Sequence, residues 1–204
     1  ETGSGTAVNL GSFSQWLRTV VVQSDGKIIV GGSFSIFNGE TKRGIVRLNT
    51  DGSIDNSFAI GVGFDFVNIS SVPSVSSIVI QPDGKIIAVG NFDSFNGVFL
   101  NHGNIIRLNI DGSIDTSFNS INFGNTVFTV SLQQDGKIVV GGSFNGYYTI
   151  GNNGVFTSTP CKSILRLNSD GSIDTTFNVG IGPITNGGVG TVYKIIIQPD
   201  QKIL

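Results

Sequence analysis

The sequence predicts an all-β fold, a β-propeller-type array of four-stranded antiparallel blades with three full repeats and a partial fourth. The first observation is a phrase that occurs three times, as RLNTDGSIDNSF from residue 47, RLNIDGSIDTSF from residue 107 and RLNSDGSIDTTF from residue 166. The second is another repeated phrase before each copy, such as QPDGKIIAVGNF at 81–92, which begins a fourth time near residue 198. Repeats of roughly 40 to 60 residues with four short strands are typical of blades stacked around an axis.

The composition of the chain favours strands over helices. It has 29 Gly, 15 Phe and no Met among 204 residues, and Ala occurs only at three positions. Good helix formers are therefore scarce, while strand and turn formers are abundant. We expect residues 1–15 to be an N-terminal extension or a remnant of expression, followed by one repeat domain over 16–204. Its repeats are expected at about 16–58, 75–118, 126–177 and, in part, 191–204.

The Asp-Gly turns predict the register of the strands that they join. The pattern x-Asp-Gly is typical of a type I turn closed by a Gly in the left-handed region, which gives a three-residue hairpin loop with a bulge. In that geometry Arg47 faces Asp55 across the third and fourth strands. The same geometry pairs Arg107 with Asp115 and Arg166 with Asp174, and we interpret these pairs as a structural clamp because catalytic groups are not normally copied into every unit of an array.

The two phrases together resemble the delta-60 repeat, a β-propeller-like repeat of bacterial and viral surface or secreted proteins. The resemblance extends from about Thr19 to Leu204 and rests on QPDGKI, a Gly-rich strand with a Phe, RLN and DGSxDxxF in that order. It implies a propeller-type fold and an extracellular setting, and it implies no catalytic residues. One departure is Gln201, which stands where the other copies have Gly and should cost about 1 kcal/mol if the turn is kept.

The order of the strands divides the loops between two faces. The tight Asp-Gly turns form one face, and the longer, variable loops within and between repeats form the other, which we call the loop face. Variable loops on a rigid scaffold are the usual place for recognition. Phe37 and Phe95 recur in the phrase FNG and are expected to be buried anchors. The candidate binding residues on the loop face are Lys42, Arg43, His102, Tyr147 and Tyr148.

Several function classes are disfavoured by charge and residue inventory. The formal net charge is −2 and charged residues make up 13% of the chain, so neither nucleic acid nor membrane insertion is expected. With one Cys and one His, no ordinary zinc site and no catalytic triad is expected, and we predict no cofactor and no metal. Asp65 and Asp93 are the only Asp residues outside the repeated turns. A glycosidase needs a positioned pair of carboxyl groups, so this inventory gives little support for one.

We therefore expect a non-enzymatic binding or structural module of an extracellular, cell-surface or virion-surface protein. The alternative is a lectin-like propeller that binds glycans through the loop face, and an enzyme such as a propeller-type lyase or hydrolase comes third. The partner is expected to be a protein or glycan on a cell or virion surface. Because Ile195, Ile197 and Ile203 lack a third strand of their own, we also expect self-association or membership of a longer propeller.

Overall fold

The fold is all-β, as the sequence predicts. The computed structural model describes residues 16–67, 71–100, 103–150, 156–180, 182–185 and 188–204, and these residues form strands, turns and bends without a helix. This described part of the chain accordingly holds no helix of the length and apolarity needed to cross a bilayer.

The strands follow the repeats closely. The first repeat contains β1 (Trp16–Val22), β2 (Ile28–Ser33), β3 (Ile36–Phe37), β4 (Glu40–Thr41) and β5 (Ile45–Leu48), and β6 (Phe64–Asp65) follows it. The second contains β7 (Ser74–Ile80), β8 (Ile86–Asn91), β9 (Ser94–Phe95), β10 (Val98–Phe99) and β11 (Ile105–Leu108). The third contains β12 (Val127–Leu132), β13 (Ile138–Gly142), β14 (Gly146–Ile150), β15 (Phe156–Pro160) and β16 (Ile164–Leu167), and β17 (Ile184–Thr185) and β18 (Gly188–Val189) follow it.

Each full repeat forms one three-stranded antiparallel sheet rather than the predicted four-stranded one. The strand orders are β1-β2-β5, β7-β8-β11 and β12-β13-β16. In place of a fourth strand the first repeat has a single bridge between Leu48 and Ile54. The chain turns directly after that bridge, because the Asp55 carboxylate accepts a hydrogen bond from the Ser57 amide and the Asp55 carbonyl accepts one from the Phe58 amide. A side chain that binds its own backbone competes with a strand ladder.

The predicted register of the Asp-Gly turns is confirmed. The Asn49 amide donates to the Ser53 carbonyl at 2.8 Å and the Asp55 amide donates to the Arg47 carbonyl at 2.9 Å, while Gly52 has a φ of 85°. The turn around Gln201 is kept as well, with a φ of 66° at that residue. Its side-chain oxygen accepts a hydrogen bond from the Gln134 amide at 3.0 Å, which offsets part of the backbone strain.

The core lies between neighbouring repeats, which explains why the second strand of each repeat is apolar on both faces. In β8, Ile86 and Ala88 pack against the first repeat, in a cluster that includes Ile29 and Ile45. The alternate residues Ile87 and Val89 pack against the third repeat. Since successive side chains of a strand point to opposite faces, one strand of this kind joins two repeats.

The first strands of successive repeats lie side by side, with β1 next to β7 and β7 next to β12. Residues 192–204 continue this arrangement beside the third repeat: the Ile195 amide donates to Thr129 Oγ1 at 3.3 Å, and the Val192 amide donates to the Gly142 carbonyl at 3.0 Å. Ile195 is buried there, so its lack of a third strand does not expose it. The exposed large apolar side chains of this segment are those of Tyr193, Ile196 and Leu204.

The expected Arg–Asp pairs are present in all three repeats, and each carboxylate has a second cation. Arg47 Nε lies 2.7 Å from Asp55 Oδ2, and Lys27 Nζ lies 2.8 Å from the same oxygen. The guanidinium carbon of Arg47 also lies 4.4 Å from the centre of the Phe58 ring. The same arrangement recurs with Lys85, Arg107, Asp115 and Phe118, and with Lys137, Arg166, Asp174 and Phe177. Sequence reasoning missed the lysines, although the repeated phrase DGKI contained them.

The Arg–Asp pair of one repeat also holds the Asp-Gly turn of the next. Arg47 Nη1 donates to the Ile110 carbonyl at 2.5 Å, and the Ala59 amide donates to the Asp111 carbonyl at 2.6 Å. We call Arg47, Asp55, Phe58 and Ala59 the turn socket of the first repeat. In the second socket, Arg107 Nη1 donates to the Ser169 carbonyl at 2.7 Å and the Asn119 amide donates to the Asp170 carbonyl at 2.8 Å. The equivalent residues of the third socket are Arg166, Asp174, Phe177 and Asn178.

The glycines of these turns differ in what surrounds them. A Cβ on Gly112 would lie 2.7 Å from the Phe58 ring, whereas a Cβ on Gly52 would meet no atom within 4 Å. Both residues have a positive φ, at 90° and 85°. Gly112 therefore satisfies a conformational and a steric requirement, and Gly52 only the first.

We predict that Gly112→Ala destabilises the fold more than Gly52→Ala. The Gly52 variant should lose about 1 kcal/mol of unfolding free energy from backbone strain alone. The Gly112 variant should lose about 2–4 kcal/mol, because the added methyl group also overpacks the socket. Urea unfolding of both proteins measures the difference, and equal losses would show that the turn does not dock as described.

The carboxylate of each Arg–Asp pair should make stability depend on acid pH. Burial raises the pKa of Asp115, but hydrogen bonds from Lys85, Ser117 and Arg107 together lower it well below its ordinary value. For Asp174 the hydrogen bond from Lys137 is the largest cause of the lowered pKa. A pKa lower in the folded than in the unfolded state stabilises the fold above the unfolded value, about 3.9, and this stabilisation is lost as the pH falls below it.

We predict that the unfolding free energy changes little from pH 7 to about pH 4.5 and falls steeply towards pH 2. Asp115→Asn should cost about 3 kcal/mol at pH 7, since it leaves two cations unpaired, and should make the acid loss shallower. Thermal unfolding across this range is the measurement. A variant with the same acid slope as the parent would contradict the assignment.

Candidate functional site

The loop face is built on small hairpins that the sequence did not predict as strands. β3 pairs with β4 and β9 pairs with β10, each through a two-residue Asn-Gly turn. Asn38 and Gly39 have φ values of 48° and 84°, and Asn96 and Gly97 have 48° and 75°, as a type I′ turn requires. The phrase FNG was the available signal. Phe37 and Phe95 are buried beside these turns, which confirms them as anchors.

The segments between repeats bind to these hairpins and order the face. β6 pairs with β9, so that the chain after the first repeat adds a strand to the hairpin of the second. Arg43 forms a parallel bridge with Gly63, and Asn122 forms an antiparallel bridge with Tyr148. The loop face therefore has a hydrogen-bonded backbone, which is the kind of surface that can present side chains in fixed positions.

The two cationic candidates are already engaged by acidic neighbours. Lys42 Nζ lies 3.6 Å from Glu40 Oε2, and its side chain is mostly buried. Arg43 forms an ion pair with Asp65, and the other oxygen of Asp65 accepts a hydrogen bond from the Phe66 amide. The Arg43–Asp65 pair holds the first hairpin to the segment that follows it, whereas the Lys42–Glu40 pair is local to the hairpin. Of the other candidates, His102 lies outside the described residues.

The two tyrosine candidates have different surroundings. Tyr147 is half-buried and packs against the core cluster of the second and third repeats, beside Cys161. Tyr148, with 39% of its surface exposed, covers Gly124 and projects from the β14–β15 hairpin. Of these two rings, that of Tyr148 is the more exposed and the better placed to contact a ligand.

The groups on this face that could support catalysis have structural partners. Asp93 Oδ1 accepts a hydrogen bond from the Val67 amide at 2.9 Å, and Asp65 is paired with Arg43. Burial raises the pKa of the Cys161 thiol to about 11, which opposes formation of the nucleophilic thiolate. Among the residues that the structure describes, no group of three or more His, Cys, Asp or Glu is placed to hold a metal ion.

Exposed apolar side chains are the feature of the loop face that sequence reasoning missed. Val98 and Phe99 of β10 are 53% and 54% exposed, and neither belongs to the repeated phrases. On the turn face, Ile110 has a comparable exposure, at 55%. The exposed large apolar residues of the loop face are Ile36, Val62, Val67, Val98, Phe99, Tyr148 and Ile184.

Comparison with solved structures gives similarities at low sequence identity. One is the extracellular domain of a proposed one component system from B. thetaiotaomicron, at 16% identity and a TM-score of 0.48 over 92% of this chain. This chain spans one fifth of the length of that protein. Another is a protein of unknown function from Bacteroides caccae, at 10% identity and a TM-score of 0.39, with 80% of this chain and 67% of that chain covered. None of the curated proteins matches the sequence.

A family model described as "Domain of unknown function (DUF5122) beta-propeller" matches residues 23–58, 81–118 and 133–177. These three segments together make up more than half of the chain, and each contains the Arg–Asp pair and the Phe of one turn socket. The chain belongs to the DUF5122 β-propeller family.

Proposed function

We propose that this chain is a non-enzymatic binding module that recognises the surface of another protein through its loop face. The observation that supports this proposal is the set of exposed apolar side chains on a hydrogen-bonded framework of hairpins. Apolar side chains that project from a rigid surface favour protein contacts, where aromatic residues are enriched. In contrast, the cations Lys42 and Arg43 are already paired, so charge recognition is a weaker basis for binding.

A non-enzymatic role is supported by the surroundings of the reactive groups. Asp65 accepts a hydrogen bond from the Phe66 amide and forms an ion pair with Arg43, and Asp93 accepts a hydrogen bond from the Val67 amide. Burial raises the pKa of the Cys161 thiol. We propose further that the repeats are of the delta-60 type and that the setting is extracellular, on a cell or on a virion. That part of the proposal rests on the sequence phrases alone.

Glycan binding is the second candidate function, and Tyr148 is the observation that favours it. Its exposed ring lies on a hairpin next to an exposed hydroxyl group, since Tyr148 faces Ser158 on the same side of the hairpin. An aromatic face can stack on a sugar ring while hydroxyl groups supply directional hydrogen bonds.

We predict that Phe99→Ser weakens partner binding about tenfold or more, because it removes an exposed apolar contact of the kind that dominates protein interfaces. The measurement is screening of the purified chain against a panel of purified cell-surface ectodomains and a glycan array, followed by titration of each hit. Ile110→Ser on the turn face is the matched control, with nearly the same exposure. Its binding should equal that of the parent.

Other outcomes would replace this function. Hits confined to the glycan array and lost in Tyr148→Ala would favour the glycan-binding module. Turnover in a broad hydrolase and lyase screen would contradict the non-enzymatic role. Equal loss of ectodomain binding in the Phe99 and Ile110 variants would show that the loop face is not the binding surface.

A further inference from the structure

A β-bulge lies at the same place in the first strand of each full repeat. The register of β1, β7 and β12 shifts by one residue near the start of the strand. Each shift leaves one residue without a strand partner, five residues before the Gln that precedes the turn. These bulge residues are Arg18, Ser76 and Phe128, and the same count before Gln198 gives Tyr193.

The strand opposite each bulge carries a glycine that the bulge requires. A Cβ on this glycine would collide with a backbone carbonyl oxygen next to the bulge, which is shown by Gly32 against Trp16, Gly90 against Ser74 and Gly142 against Thr126. The second repeat has the letters AVGN where the others have VGGS, and it keeps the one Gly that faces the bulge. Bulges redirect side chains and are common next to binding sites.

The bulge residues of neighbouring repeats project to the same side of the inner strands. The rings of Phe128 and Tyr193 stack, with centroids 5.2 Å apart and planes at 27°. The first two repeats are related in the same way, because Gly31 lies against Val75 of the next repeat as Gly141 lies against Val192. Arg18 and Ser76 therefore belong to the same series as the stacked rings. We call the four residues Arg18, Ser76, Phe128 and Tyr193 the bulge row.

Packing of a neighbouring repeat does not cover this position. Ser76 and Phe128 belong to repeats that have packed chain on both sides, and both side chains remain partly exposed. A further repeat would therefore add a member to the row and leave the present members accessible.

The bulge row combines a cation, a hydroxyl group and an aromatic surface. Arg18 is exposed and forms no ion pair with the described residues, whereas each of the other four arginines forms one. An unpaired guanidinium binds a carboxylate through two parallel hydrogen bonds. Tyr193 is 72% exposed and, with Phe128, offers a flat apolar surface beside a phenol hydroxyl group. The neighbouring positions in these strands are occupied by residues that pack between repeats, such as Val127 and Thr129.

We propose that the bulge row is a binding site for a short acidic oligosaccharide. A carboxylate of the ligand pairs with Arg18, a sugar ring stacks on the aromatic pair, and Ser76 exchanges hydrogen bonds with hydroxyl groups between them. Sheets that pack face to face lie about 10 Å apart, so a ligand that reaches from Arg18 to Phe128 must be elongated. A chain of acidic sugars has this length and also carries apolar ring faces, hydroxyl groups and carboxylates.

This site is distinct from the hairpins of the loop face. The bulge row lies on the first strands of the repeats, whereas Phe99 and Tyr148 lie on β10 and β14. The inference does not rest on recognition of a protein partner, and either function can fail without the other.

Isothermal titration calorimetry of the full chain with a linear trimer of galacturonic acid tests the proposal. We expect saturable binding. The same trimer with methyl-esterified carboxyl groups should bind about tenfold more weakly or worse, because it keeps the rings and loses the charge that Arg18 recognises. This ligand control leaves the protein unchanged, so misfolding cannot explain the difference.

Protein variants locate the site. Arg18→Gln and Tyr193→Ala should each weaken binding of the trimer about tenfold. Lys202→Gln removes the same charge from a side chain that is 76% exposed elsewhere, and Tyr148→Ala makes the same aromatic change on the loop face. Both controls should bind like the parent.

Several results would overturn the proposal. They are the absence of saturation at millimolar trimer, equal binding of the methyl ester, and an equal loss in Arg18→Gln and Lys202→Gln. Loss in Tyr148→Ala but not in Tyr193→Ala would move glycan binding to the β14–β15 hairpin. Saturable binding of hexaglutamate without binding of the trimer would replace the sugar with an acidic peptide.

Discussion

The fold depends on one carboxylate in each repeat that neutralises two cations and so fixes the position of an arginine. Asp55 accepts from Lys27 and Arg47 through the same oxygen, and its other oxygen accepts from Ser57. With its charge balanced in this way, Arg47 can be nearly buried, stack on Phe58 and direct a second nitrogen at the following repeat. A buried charge without such partners would be strongly destabilising. The polar network therefore determines where the next repeat docks. Most of the buried apolar surface belongs to the strands that pack against a neighbouring repeat.

The same network gives the two faces of the molecule different contacts. On the turn face, the Asp-Gly turn after the third strand of one repeat is inserted into the socket of the preceding repeat. The loop face does not take part in those contacts, and its hairpins are held by local pairing with the segments between repeats. Variation in the hairpins, such as the longer β14–β15 pair, can therefore occur without changing the contacts between turns and sockets.

Much of the fold could be predicted because it is specified locally. The Asp-Gly turns determine register, and register places Arg47 opposite Asp55 without knowledge of any distant contact. The fourth strand could not be excluded from sequence, since its loss depends on the Asp55 side chain binding the backbone of Ser57. The role of Lys27 depends on a contact 28 residues away. On the loop face, Tyr147 is half-buried whereas Tyr148 is exposed. This difference arises from packing between repeats, which the sequence pattern does not show.

The pairing of each turn with the preceding socket has a consequence for the order of unfolding. Neighbouring repeats are held together by short, local contacts, and no described strand connects repeats that are not adjacent. In an array of this kind, release of one turn exposes the socket of the preceding repeat but leaves the contacts between the other repeats intact. Tension along the chain would therefore open the molecule stepwise, and extension would occur in increments of one repeat.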